Sequence, residues 1–92
     1  MNEIIDVKFK MLWNAPVCVP IDDRFAWSVG GPEDAIHFLS MRWSSNKGTS
    51  YMRAKEKCLA AISHRIAVES AREAFVAACL DAHLIPERRY PR

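Results

Sequence analysis

Residues 24–39 read RFAWSVGGPEDAIHFL, and the change of period within them decides the fold. Up to Val29 the apolar side chains alternate, with Phe25, Trp27 and Val29 on one side. That is the period-two pattern of a half-buried strand. From Pro32 the period lengthens. Pro32 suits the first position of a helix, where its missing N–H costs nothing. Glu33 and Asp34 then lie at the positive end of the helix dipole. At about 100° per residue, Ala35, Ile36, Phe38, Leu39 and Trp43 share one arc, which predicts a helix over 32–43. Arg42 falls inside that arc and has to snorkel or find an anion.

Toward the N-terminus the strand pattern continues. Ile5, Val7, Phe9 and Met11 alternate with Asp6, Lys8 and Lys10, which predicts a first strand over 5–11. Asn14-Ala15-Pro16 breaks it. Val17-Cys18-Val19 is a short β-branched run closed by Pro20, and Asp22-Asp23 supplies turn chemistry. Residues 17–19 and 24–29 are therefore expected to form a hairpin, with the first strand alongside. Three strands that share an apolar face need a cover.

The C-terminal half supplies that cover. Residues 44–50 form a polar loop containing Gly48, and Thr49 or Ser50 is expected to cap a second helix running to about Ser63. Its apolar arc holds Tyr51, Ala54, Cys58, Leu59, Ala61 and Ile62. The opposite face carries Arg53, Lys57 and His64, with Glu56 beside them. A break near Arg65-Ile66 leads to a third helix, about Val68 to Leu84. Its arc is Val68, Ala71, Phe75, Ala78, Cys79 and Ala82, and with four of these six being Ala or Cys a neighbouring helix can approach closely. The expected fold is α+β: a small antiparallel three-stranded sheet followed by three helices packed on one face.

The 92 residues allow one domain, placed at 1–85, with a loose basic tail over 86–92. Half the chain is apolar and 26% is charged, a globular balance rather than a disordered one. Twelve of the apolar residues are alanine, so the core is rich in small side chains. No stretch reaches the roughly 18 apolar residues of a membrane-spanning helix. Met1-Asn2-Glu3 lacks the basic start of a secretory leader, so none is expected. Cys18, Cys58 and Cys79 are an odd set at wide spacing. Reduced thiols in the cytoplasm are the expected state.

Pro16-Val17, then Ala35, Phe38, Leu39 and Trp43, then Tyr51, Ala54 and Cys58, then Ala71-Arg72, Ala74-Phe75 and Ala78 form an ordered set. With it the chain resembles the small bacterial domain-of-unknown-function family numbered 982 over about residues 10–85. The resemblance implies a short protein of the kind abundant in soil and plant-associated bacteria. It supports the fold and names no activity. The chain departs from the family pattern in two places. Ser44 follows Trp43 where a proline is usual. His64-Arg65 and Ala67 stand where a glycine ends the second helix and a serine opens the third.

Candidate chemistry is sparse. Cys79 and His83 share a helix face at i, i+4, but a structural zinc site takes four ligands, and no CxxC or HxxxH completes the set. No metal and no cofactor is therefore expected. A cysteine nucleophile needs a nearby base and a lowered pKa. Cys58 and His64 lie six residues apart and face away from each other, while His37 points away from the apolar arc of its helix. Gly30-Gly31-Pro32 precedes a helix start, where anions bind, but Glu33 and Asp34 occupy that position with negative charge.

Charge is uneven along the chain. Residues 42–66 hold six basic groups against one acidic, and residues 1–41 hold three against six. The basic segment contains Trp43 and Tyr51, which can stack on bases, although their arc positions place them in the core. The second and third helices also mimic a helix-turn-helix, but the reader helix would expose Glu69, Glu73 and Asp81 to phosphates. The expectation that follows is a non-enzymatic cytoplasmic protein-interaction or regulatory module, self-associating, with a dimer as the first guess and a further protein partner unidentified. The alternative is weak nucleic-acid binding, with Arg53, Lys57 and His64 as the contacts. A small-molecule or thiol-based site at Cys58 or Cys79 is a further alternative.

Overall fold

The computed structural model describes residues 11–43 and 47–85. Their order is β1 (Val17–Pro20), β2 (Ala26–Val29), α1 (Pro32–Met41), α2 (Thr49–Ile62) and α3 (Val68–Asp81). The fold is α+β, with three helices and a two-stranded antiparallel sheet among the described residues. Of the strand expected over 5–11, only Met11 is described, and it is irregular. Residues 5–10 and the expected tail lie outside the described residues.

The hairpin forms as its pattern dictates. Val17 pairs with Val29 and Val19 with Trp27. Val17, Val19 and Val29 are buried, whereas Cys18 and Ser28 between them are exposed. The turn is set by Asp22, whose carboxylate accepts from the backbone N–H groups of Arg24 and Phe25 at 2.8 and 3.0 Å. An aspartate closing on the backbone two and three residues ahead is the reason this residue type starts turns. It also corrects one expectation. Phe25 does not share the dry face with Val29; it is 63% exposed. The Asp22 turn draws Phe25 into itself, and the ladder starts only at Ala26.

α1 starts at Pro32 with Gly31 as its N-cap, and the carboxylate of Asp34 accepts from the Gly30 N–H at 3.1 Å. It stops at Met41 rather than Trp43. Arg42 closes it, donating its N–H to the Phe38 carbonyl. The Arg42 guanidinium finds an aromatic face rather than an anion, 4.3 Å from the centre of the Trp27 ring.

α2 is capped by Gly48 and not by Thr49 or Ser50. The Ser50 hydroxyl is engaged elsewhere, donating to the Asp81 carboxylate. Both later helices end in the same device. His64 and His83 adopt φ of 64° and 60°. Arg65 N–H donates to the Ala60 carbonyl and Leu84 N–H to the Cys79 carbonyl, at 2.8 and 2.9 Å. This is the Schellman closure, which normally takes a glycine at the left-handed position. It stops α3 at Asp81, three residues before the expected Leu84. At both helix ends a histidine takes the left-handed conformation, so the chain reversal forms without a glycine.

α2 and α3 make the most extensive contact in the fold. Their buried side chains are Tyr51, Ala54, Cys58 and Ala61 on one, and Ala71, Ala74, Phe75, Ala78 and Cys79 on the other. Small side chains let the two backbones approach, as the alanine count implies. Leu59, expected in the arc, is instead 47% exposed. The buried arc is narrow, and Leu59 lies roughly 80° beyond its edge at the helical rotation of about 100° per residue. A chain of rings completes the core: Trp13 meets Phe75 at 5.8 Å, Phe75 meets Phe38 at 5.9 Å, and Phe38 meets Trp43 at 6.3 Å.

The start of α1 is pressed against the entering chain. A Cβ on Gly31 would sit 2.1 Å from the Met11 carbonyl oxygen and 3.3 Å from the Leu12 Cα. These are backbone atoms and cannot swing aside. A Cβ on Gly30 would meet only the ends of the Asp34 and Leu12 side chains, at 3.4 and 3.8 Å. In denaturant titration Gly31→Ala is therefore expected to cost about 2 kcal/mol or more, as overpacking does, while Gly30→Ala stays within about 1 kcal/mol. Equal costs for the two variants would contradict the close approach at Gly31.

Candidate functional site

The residues singled out for binding lie along α2. Arg53 and Lys57, one turn apart, line a shallow groove together with Gly48, Thr49, Met52 and Glu56. His64 is not among its lining residues. It sits beyond the helix end, exposed, where its backbone makes the chain reversal. The structure thus brings two of the three residues together and leaves the third apart. Glu56 lines the same groove, which therefore carries both signs of charge.

A second concavity, of about 390 Å³, opens between the start of α2 and the end of α3. Trp43, Ser50, Tyr51, Asp81 and His83 line it. Trp43 and Tyr51 pack at 5.3 Å between ring centres. The Tyr51 hydroxyl donates to the Leu39 carbonyl at 3.2 Å and is buried. Lys47 lies 5.6 Å from the centre of the Tyr51 ring. Both aromatic residues of the basic segment are thus committed to internal contacts.

The thiols divide into two kinds. Cys58 and Cys79 are fully buried on α2 and α3. Burial pushes each thiol up from the ordinary 9.0 to about 12, because a low-dielectric surrounding disfavours the thiolate. A nucleophile or metal ligand needs the opposite shift. Cys18, on the outer side of β1, is exposed. Cys58 and His64 do not meet, and His83 is exposed while Cys79 is enclosed. Among the described residues no group of three or more His, Cys, Asp or Glu is placed to hold a metal ion. His37 stacks on Trp27, with ring centres 6.4 Å apart.

Sequence reasoning missed the segment that joins the sheet to the helices. Trp13 donates its indole N–H to the Val68 carbonyl at 2.8 Å and its backbone N–H to the Gly30 carbonyl, also at 2.8 Å. Asn14 N–H donates to the Glu69 carboxylate at 2.9 Å. Arg72 Nε donates to the Ala15 carbonyl at 2.9 Å. Three consecutive residues are stapled to the first turns of α3. These three residues stand between two patterned segments, so no apolar period announced their contacts.

Residues 15–85 match the family described as protein of unknown function (DUF982). The chain belongs to this family. Phe38, Tyr51, Cys58 and Phe75, which carry the resemblance seen in the sequence, are all buried in the core. The DUF982 pattern in this chain is therefore a pattern of the fold. The DUF982 chain is also similar to the NMR structure of Agrobacterium tumefaciens protein Atu1219. The two are 29% identical, with 87% of this chain and 80% of that chain covered and a TM-score of 0.70. No curated protein matches the DUF982 chain. Among the described residues no helix is long and apolar enough to cross a membrane.

The thiols give a direct check. In the native state Cys18 is expected to react with a thiol reagent, and Cys58 and Cys79 only on unfolding. Their raised pKa also sets a sign. Between about 9 and about 12 the folded chain keeps two protons that the unfolded chain has released. Stability contributed by these thiols is thus full below pH 9.0 and falls as pH rises above it. Three equally reactive native thiols, counted by mass spectrometry of the labelled protein, would contradict the burial.

Proposed function

We propose that this DUF982 protein is a non-enzymatic interaction module of the cytoplasm that associates with a second copy of itself. The observation that carries this reading is where the large apolar side chains are left. Half of the buried apolar residues among those described are alanine or cysteine, while Phe25, Met41, Met52 and Leu59 stand 47–69% exposed. Single exposed apolar residues are ordinary, but several on a small domain favour association. A chain of this length gains burial by pairing. The withdrawn thiols Cys58 and Cys79 support a role without covalent chemistry, and the absence of an even cysteine set supports the reducing compartment.

The second reading, weak nucleic-acid binding through Arg53 and Lys57, ranks below it. Glu56 shares their groove, and Trp43 and Tyr51 are occupied by each other and by the core.

Sedimentation equilibrium tests the proposal. The weight-average mass is expected to rise toward twice that of the chain as concentration increases from about 10 µM to about 1 mM, the range for an interface smaller than the standard size. A mass that stays at one chain throughout would sink the self-association reading.

A further inference from the structure

We draw no further inference here: the strongest candidate, the cavity between the start of α2 and the end of α3, is lined by groups already bonded or packed within the chain, Ser50 on Asp81 and Tyr51 on Leu39 and Trp43, and nothing in the structure shows what would fill it.

Discussion

The indole of Trp13 is the contact on which the arrangement of the molecule depends. Its backbone N–H is bonded to Gly30, at the junction of the hairpin and α1, and its ring N–H is bonded to Val68, at the start of α3. The ring itself rests on Phe75, in the middle of α3. One residue, through its backbone and its ring together, thus ties the junction of the hairpin and α1 to α3, far away in sequence. A ring of this size buries roughly 150–250 Å² and gives its N–H a partner when enclosed. Asn14 and Ala15 extend the same attachment to Glu69 and Arg72. The close approach of Met11 and Leu12 to Gly31 follows from it, because a chain held at residue 13 has little room to stand off.

The helical layer obeys a different constraint. α2 and α3 meet through alanine and cysteine, and such a contact brings backbones close but buries little area per residue. The large rings of Phe38, Trp43, Tyr51 and Phe75 fill what the small side chains leave. This division explains why the thiols at Cys58 and Cys79 behave as small hydrophobes, with their ionisation pushed to about 12. It also explains the exposed Met52 and Leu59, since a narrow contact leaves the flank of α2 uncovered.

Periodicity made most of this legible. The hairpin, the starts of α1 and α3, and the buried residues Ala35, Phe38, Leu39, Ala54, Cys58, Ala71, Phe75, Ala78 and Cys79 all follow from the spacing of apolar side chains. What failed were positions where a local bond overrides the period. Phe25 left the strand face because Asp22 captured its N–H. The ends of α2 and α3 were set by left-handed histidines, where a glycine is the usual residue. Ser50 gave up its cap to reach Asp81, a contact 31 residues away. Trp13 was silent because it stands alone between two patterned segments, and only the tertiary partners at Gly30, Val68 and Phe75 give it meaning. Of the candidate binding residues, the sequence placed Arg53 and Lys57 together correctly through their helical spacing, and it misplaced His64 because it extended the same helix one step too far.

Hydrogen exchange at the Trp13 indole nitrogen, followed by NMR on the full chain, tests the clamp most directly. The indole proton is expected to be protected as strongly as the backbone amides in the middle of α3, because it can leave only when the sheet segment parts from the helices. Exchange as fast as that of an exposed indole, with the α3 amides still protected, would contradict the attachment of Trp13 to Val68.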